Sequence, residues 1–281
     1  MLKQRIVSAL VLVSLIVWAL FAWSQNAFAT LLGAFILVGA WEWTRLMGMT
    51  KPVERIAYVA ALGLVGVWII LNPSWNRPLV LVAVVFWAWV LVEQVLLKRL
   101  EDGFLVTYPG KLLAGFLVLL PAWLVPLALR LMPQGAMPEG RWLVLYLMLV
   151  VWAADTGAYF AGHLWGRHKL APLTSPGKTW EGVGGGLVVV LVLALLAGIY
   201  RWGIRGDELA TWVAISLFVG FVSVLGDLFE SRMKRIAGAK DSGTLIPGHG
   251  GVLDRIDAFT AAAPVFAYLW YHWRMPTGSW L

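Results

Sequence analysis

Long apolar runs recur from one end of the chain to the other. An apolar stretch of roughly 17–25 residues is long enough to cross a bilayer as a helix. The 281 residues contain nine runs that we predict to be transmembrane helices: 6–23, 27–41, 56–71, 78–97, 112–131, 142–160, 183–200, 210–229 and 252–273. The second and third runs are short, so we expect them to tilt little or to lie partly at the membrane interface.

The composition agrees with a membrane protein. Apolar residues make up 60% of the chain and charged residues only 13%, whereas a soluble domain carries about 25% charged residues. Disordered chains are poor in the apolar residues found here. The 18 Trp and 7 Tyr residues supply anchors for the membrane–water boundary. The chain has no Cys, which excludes disulfides, thiolate metal sites and a thiol nucleophile. We therefore predict an all-α, polytopic integral membrane protein.

The distribution of positive charge predicts the orientation in the membrane. A net charge of +7 is compatible with nucleic acid or with an anionic membrane face. If the N-terminus lies inside, the predicted cytoplasmic loops and ends hold 16 of the 22 Lys and Arg residues, and the opposite side holds 6. Since cytoplasmic loops carry the excess of Lys and Arg, we predict a cytoplasmic N-terminus and no nucleic-acid partner.

The first residues also resemble a secretory signal. Lys3 and Arg5 precede an apolar stretch, and Ala27-Phe28-Ala29 looks like a cleavage site. The apolar stretch is longer than the roughly 7–15 residues of a signal core, and another apolar run follows at once. We expect this segment to be kept as the first helix; cleavage is the alternative, and it would not change the orientation of the rest.

Ionisable residues divide the chain into two parts. We predict a lipid-facing body of transmembrane helices at 1–140 and a catalytic transmembrane region at 141–281, with cytoplasmic loops 161–182 and 230–253. In the first part, Glu42 and Glu93 lie near the ends of predicted spans. We interpret both as interfacial charges, paired with Arg45 and a neighbouring Lys. Because charges at membrane depth are costly, those in the second part are functional hypotheses.

Four carboxylates are spaced to form two acidic helix faces. Asp227 and Glu230 are three residues apart near the end of the eighth span, and Asp254 and Asp257 are three apart at the start of the ninth. Asp155 lies inside the sixth span. Clustered carboxylates repel one another unless a cation lies among them, and their oxygens suit Mg²⁺. We favour a metal site, with simple ion pairing as the alternative. The cations that would neutralise the acids in that alternative are Arg232, Lys234 and Arg255.

Two basic, glycine-rich stretches lie on the same predicted side. The loop at 231–251 combines four cations with glycines and hydroxyls, which suits a polyphosphate because backbone N–H groups can approach it closely. In the other loop, Ser175, Lys178 and Thr179 precede the seventh helix, whose N-terminus favours anions. Neither loop contains a Walker A or a Gly-x-Gly-x-x-Gly fingerprint. A flexible interfacial loop is the alternative for the stretch at 231–251.

A longer motif in the same region resembles a known signature. The chain resembles the phosphatidate cytidylyltransferases (CDP-diacylglycerol synthases) over roughly 155–257, and the segments 155–159 and 175–182 look like other shared segments of that family. The first half matches only in being hydrophobic. The signature positions, all kept here, are Ser231, Lys234, Arg235, Lys240, Asp241, Gly243, Ile246, Pro247, Gly248, His249, Gly250, Gly251, Asp254, Arg255 and Asp257.

The resemblance implies a reaction and its requirements. CTP and phosphatidic acid would give CDP-diacylglycerol and diphosphate, in phospholipid biosynthesis, at the cytoplasmic side of the inner membrane. It implies Mg²⁺, allows a monovalent cation such as K⁺ beside it, and implies a homodimer. The family's metal-binding acids correspond to Asp227 and Asp254. Nine spans agree with the family's architecture.

The chemistry of the substrates suggests roles for the other residues. A phosphomonoester has its second pKa near 6, so the lipid phosphate can attack the α-phosphorus of CTP without a strong protein base. The site must then neutralise charge and align the reactants. We predict that Asp227, Asp254, Lys240, Asp241 and Asp257 are catalytic, with Glu230 and Asp257 orienting cations or completing the ion shell. The predicted substrate-binding residues are Ser175, Lys178, Thr179, Lys234, Arg235, His249 and Arg255, although a structural role in the glycine-rich turn is equally open for His249.

Other functions remain as alternatives. A CTP-dependent polyprenol or phytol kinase would need a base for a neutral hydroxyl and would release CDP in place of pyrophosphate. A CDP-alcohol phosphotransferase would carry a D-G-x2-A-R motif, which the sequence lacks. An ion-coupled transporter would place acids near the membrane midplane in pseudo-symmetric halves, and a structural scaffold leaves the clustered acids unexplained.

Overall fold

Helices dominate the structure, as predicted. The computed structural model describes residues 2–96, 102–132, 139–245 and 250–274. These residues contain nine α-helices and one short hairpin, which confirms the all-α, polytopic class. The helices are α1 Leu2–Ala22, α2 Gln25–Leu46, α3 Pro52–Leu71, α4 Asn76–Leu91, α5 Tyr108–Arg130, α6 Gly140–Trp165, α7 Trp180–Leu196, α8 Gly206–Ile236 and α9 Leu253–Arg274.

Each predicted apolar run falls on one of these helices, but the helices differ in how well they suit a membrane. Among the described residues, seven helical segments, containing α2 to α8, are long and apolar enough to cross a bilayer. In the part of α1 whose side chains are described, Leu10–Ala22 is apolar. Helix α9 is polar at both ends and packs in the interior, so fewer of its residues need to face lipid. Both α2 and α3 are longer than their predicted runs, at 22 and 20 residues.

Helix α5 forms the centre of the bundle. It packs against α2, α3, α4, α6 and α9, and most of its side chains are buried. The indole of Trp123 lies where a Cβ atom on Gly33 of α2 or on Gly66 of α3 would overlap it, and its Nε1 donates to the carbonyl of Ala29 at 3.0 Å. Small residues on two helices thus make room for one large ring from the third, which fixes their relative positions.

Helices α6 and α7 approach each other through glycines. A Cβ on Gly157 would lie 2.8 Å from the carbonyl oxygen of Gly185, and one on Gly186 would lie 2.6 Å from that of Ala154. Glycine is the residue that permits such close contact between helix backbones. Helix α7 begins where the Thr179 hydroxyl accepts a hydrogen bond from the backbone N–H of Gly182, a typical N-cap.

A two-stranded antiparallel hairpin connects α6 and α7. Its strands are β1, Lys169–Ala171, and β2, Ser175–Thr179. We expected only a loop in this region. Glu181 accepts hydrogen bonds from the backbone N–H groups of Arg167 and His168, and its carboxylate lies 2.5 Å from the His168 ring nitrogen. These contacts fasten the hairpin to the start of α7.

Helix α8 is longer than predicted. We expected the cytoplasmic loop to begin at residue 230, but α8 continues to Ile236 and ends before Gly238, whose φ is 64°. Lys234 and Arg235 stand in its last turn, where cations interact favourably with the helix dipole. Several residues assigned to the loop therefore lie on the helix, and the connection to α9 is 237–252.

Candidate functional site

The predicted acidic residues meet where α8 and α9 pack together. At Gly226 of α8 there is no room for a Cβ, because the backbone of Asp257 in α9 occupies that space. This close approach places Asp227 and Glu230 within electrostatic range of Asp257, and Asp155 of α6 joins the same group. Asp254 interacts in turn with Glu230. We call these five residues the acidic cluster.

Lys234 joins the two helices at the cluster. Its ammonium group donates to Glu230 and to Asp254, each at 2.6 Å. The side chains of these two acids are only 5% and 6% exposed. The other oxygen of Asp254 accepts hydrogen bonds from Ser242, through its N–H and hydroxyl, and from the N–H of Gly251. Asp254 is therefore held from both sides at the start of α9.

Lys178 reaches the cluster from the hairpin. Its ammonium group lies 2.6 Å from Asp227, whose carboxylate is also 3.3 Å from the hydroxyl of Ser231. Both partners of this ion pair are partly accessible. Arg255 and Lys178 are also close enough to Asp155 to offset its charge. The cluster thus receives cations from α8, α9 and β2.

The chemistry of the cluster suits a hard cation, although its lysines now provide the neutralising charge. Among the residues that the structure describes, no three Asp, Glu or His side chains are arranged to hold a metal ion. Of the three cations named in the ion-pairing alternative, Lys234 pairs with Glu230 and Asp254, whereas Arg232 pairs with Glu93, outside the cluster. However, Oε1 of Glu230 is buried and has no hydrogen-bond partner in the described part of the chain. A free, buried carboxylate oxygen beside other carboxylates is the kind of ligand that Mg²⁺ takes.

A cavity of about 380 Å³ opens beside the acidic cluster. One end is polar and is lined by Asp155, Thr156, Asp254, Arg255 and Asp257. The rest is apolar and is lined by side chains of α1, α2, α5, α6 and α9. The cavity can therefore hold a molecule with a charged group at one end and hydrocarbon at the other.

The remaining predicted residues are distributed around this region. Lys240 and Asp241 are exposed on the connection between α8 and α9. Arg235 is exposed, and its Nε donates to the carbonyl of Thr174 next to the hairpin. Ser175 is half-buried on β2. The hydroxyl of Thr179 serves as the cap of α7. His249 lies outside the described residues, as do Ile246, Pro247 and Gly248 of the same motif.

Two acids in the first half have partners that the sequence analysis did not predict. Glu42 accepts hydrogen bonds from Ser242 and from the N–H groups of Val252 and Leu253, so the expected pairing with Arg45 is wrong. Arg45 donates instead to the carbonyl of Asp241.

Glu93 pairs with Arg232 of α8 at 3.2 Å and both side chains are buried, so Glu93 is not an interfacial charge; the nearest Lys in the sequence, Lys98, lies outside the described residues. A carboxylate in an apolar span is costly and therefore indicates a partner elsewhere in the fold. We interpreted both glutamates as interfacial charges and did not use this signal.

Known proteins resemble this chain over nearly its whole length. The profile of the cytidylyltransferase family matches residues 3–273. A protein from Pseudomonas aeruginosa named phosphatidate cytidylyltransferase is 44% identical, over 96% of this chain and 97% of the relative. One of the same name from Haemophilus influenzae is 40% identical, over 96% and 99%. A third, from Brucella suis, is 35% identical over 93% and 90%.

Proposed function

Because the chain belongs to the cytidylyltransferase family, we propose that it transfers the cytidylyl group of CTP to phosphatidic acid. The products are CDP-diacylglycerol and diphosphate. The observation that carries this proposal is the cavity with the acidic cluster and its cations at one end and apolar walls beyond. It suits a substrate that is a phosphate at one end and an acyl chain at the other, since hydrocarbon gains about 0.8 kcal/mol per buried CH₂ group.

The reaction requires charge control more than proton transfer. An oxygen of the lipid phosphate attacks the α-phosphorus of CTP, a P–O bond forms there, and the bond from the α-phosphorus to the bridging oxygen breaks. The diphosphate leaves with that oxygen. Since the phosphomonoester is already largely ionised near neutral pH, no residue has to remove a proton from the nucleophile. Two anions must nevertheless be brought together, which requires cations and fixed positions.

The cations of the site supply this neutralisation. Lys178 and Lys234 form ion pairs with acids of the cluster, and Arg255 lines the polar end of the cavity. In the proposed mechanism these three side chains bind phosphate oxygens of the two substrates. Ser175, Thr179, Arg235, Lys240 and His249 stay predictions as substrate or catalytic contacts, with the hydroxyl of Thr179 already used by the cap of α7.

The carboxylates are proposed to hold Mg²⁺. Asp227 and Asp254 would bind the ion, and the unpartnered oxygen of Glu230 is available as a further ligand. When bound, Mg²⁺ neutralises charge on the transferred phosphate and the leaving diphosphate. Asp257 remains proposed as a group that orients the cations or completes the ion shell, and Asp241 as a catalytic residue. A monovalent ion such as K⁺ is a proposed companion of Mg²⁺.

We also propose a cellular membrane for the protein and a side of that membrane for its site. The charge distribution across the loops supports a cytoplasmic N-terminus and a cytoplasmic opening of the site, in the inner membrane of a bacterium. CTP would then enter from the cytoplasm, and phosphatidic acid from the bilayer. A homodimer and the absence of a nucleic-acid partner complete the proposal.

The test measures pyrophosphate release by the purified full-length protein in detergent with CTP, Mg²⁺ and phosphatidic acid. We expect release that requires both substrates, and a fall of about 100-fold or more in Asp254→Asn, the size of effect seen when a charge-stabilising group is removed from an active site. Asp207→Asn is the matched control, because Asp207 is exposed in the first turn of α8, about 30 Å along the helix from Asp227. Release of CDP from an active preparation would identify a lipid kinase instead, and full activity in Asp254→Asn would remove that residue from the proposed ion site.

A further inference from the structure

Glu42 is a buried carboxylate from the first half of the chain that reaches the catalytic half. It lies on α2 and is 6% exposed. Its Oε1 accepts the N–H of Val252 at 3.0 Å, and its Oε2 accepts the N–H of Leu253 at 2.9 Å. These N–H groups belong to the start of α9, where the first donors of a helix have no partner within the helix. A side chain of α2 therefore caps α9.

The same carboxylate contacts the connection between α8 and α9. The hydroxyl of Ser242 lies 3.0 Å from Oε2 of Glu42 and 2.9 Å from Oδ2 of Asp254. Ser242 is 1% exposed. One hydroxyl thus links the carboxylate of α2 to the acid that we assign to the ion site. Arg45, one turn further along α2, holds the carbonyl of Asp241 at 2.7 Å.

The glycines of the connection are required by this contact. A Cβ on Gly243 or on Gly251 would overlap the carboxylate of Glu42. The N–H of Gly251 donates to Asp254 at 2.8 Å. The backbone therefore closes over Glu42 on one side and holds Asp254 on the other, and only glycine leaves the space for both.

We propose that Glu42 is a positioning residue, which orients Asp254 by fixing the start of α9 and the Ser242 segment against α2. This inference rests on the proposed function, since it concerns the acid assigned to the ion site. Among the described residues, Glu42 does not itself line the cavity, and Lys178 and Lys234 pair with other carboxylates, so we place its action on Asp254, through Ser242 and the start of α9. Groups that orient metal-binding residues in this way typically change metal affinity or activity by about 10–100-fold when they are altered.

The test is Glu42→Gln in the full-length protein. Glutamine has nearly the same shape, but its amide nitrogen is a donor. It would therefore face the N–H or hydroxyl groups from which the carboxylate accepts hydrogen bonds, and at least one of these bonds would be lost. We expect pyrophosphate release to fall about 10–100-fold and the Mg²⁺ concentration for half-maximal activity to rise. Hydrogen exchange of the peptide covering 250–253 should become faster, which gives a measurement that does not depend on activity. Glu54→Gln is the matched control, because Glu54 is an exposed glutamate on α3 that pairs only locally with Lys51 in the described structure.

The possible results distinguish the role of Glu42 from the proposed cytidylyl transfer. Unchanged kinetics and exchange in Glu42→Gln would overturn it, and so would a loss of activity that matches the loss of folded protein while the Mg²⁺ dependence stays at the wild-type value. If Glu42→Gln does not fold, Ser242→Ala decides, since it removes only the link to Asp254 and should raise the Mg²⁺ requirement in the same direction. If the wild type releases no pyrophosphate, the proposed function fails, while faster exchange in Glu42→Gln would still support the role of Glu42 in holding the start of α9.

Discussion

At the scale of single residues, the two acids assigned to the ion site pair with lysines from different parts of the chain. Lys178 comes from the hairpin and Lys234 from α8, and their partners Asp227 and Asp254 stand on α8 and α9. A lysine ammonium is a mobile point charge with three donors, unlike the planar guanidinium of arginine. It can exchange a carboxylate partner for a phosphate oxygen with little rearrangement, so these two lysines are suited to a site where anions come and go.

Lys178 offers a test of this view. We expect Lys178→Met to lower pyrophosphate release about 100-fold, because one fixed cation is removed from the place where phosphate charge is neutralised. Lys178→Arg should retain more activity because it keeps the charge. Lys169→Met is the control, since Lys169 is exposed on β1 of the same hairpin. Wild-type activity in Lys178→Met would show that this lysine serves only to balance Asp227.

Contacts that depend on local spacing could be predicted from the sequence, whereas contacts between distant residues could not. The spacing of Asp227, Glu230, Asp254 and Asp257 on helix faces is a local property, and it was sufficient to predict that the two acidic faces meet. Glu42 and Glu93 bind partners more than 130 residues away, and no local pattern indicates such a pair. The cost of burying a carboxylate was the usable signal, because it requires a partner somewhere in the fold.

At the scale of helices and strands, glycines decide how α6 and α7 carry the site. Asp155 is on α6, and Lys178 stands just before α7, so the distance between these helices sets how the two approach each other. The contact depends on glycines whose Cβ atoms would meet the facing backbone. Adjacent glycines in α7 differ sharply in this respect, which gives a matched comparison.

We predict that Gly185→Ala destabilises the protein and Gly184→Ala does not. A Cβ on Gly185 would overlap the Cβ of Ala161, whereas a Cβ on Gly184 meets nothing within 4 Å. Overpacking costs about 1–3 kcal/mol, and a helical Gly→Ala change without a clash gains about 0.5–1 kcal/mol. The apparent melting temperature in detergent measures both. Equal effects of the two substitutions would show that the α6–α7 contact is not limited by this glycine.

The ends of the helices were predicted less well than their existence. Apolar periods mark the membrane-crossing part of α8, but its last turns carry Arg232, Lys234 and Arg235 and were assigned to a loop. In these turns Arg232 forms a buried ion pair with Glu93, a distant partner that no local pattern indicates. The hairpin was missed for a related reason: strands of three and five residues leave almost no periodic signal.

At the scale of the whole molecule, the apolar runs predicted where helices form in the described part of the chain, because a bilayer imposes a minimum length on each crossing. Their packing did not follow. Nothing in the sequence of α5 distinguishes a helix at the centre of the bundle from one that faces lipid, since both are apolar. The central position depends on contacts with five other helices, which is information about the complete chain.

The orientation in the membrane can be tested because the chain contains no Cys. We predict that a membrane-impermeant maleimide labels Lys51→Cys only from the cytoplasmic face and Asp207→Cys only from the opposite face. Both positions are exposed. With a cytoplasmic N-terminus, Lys51 follows the second crossing and lies inside, whereas Asp207 follows the seventh crossing and lies outside. The unsubstituted chain is the control and should not react. Labelling of both positions from one face would refute the predicted arrangement.

The bond between α2 and α9 also bears on how the protein is made. A ribosome completes α2 about 210 residues before it adds the N–H groups that Glu42 accepts. Until then, an apolar helix carries a carboxylate whose partners do not yet exist, at a cost of several kcal/mol if it is buried. We expect a chain that stops before residue 250 to be less stable, because it lacks both donors, and therefore to be removed faster by cellular proteases. The carboxylate thus couples the second helix to the completion of the last.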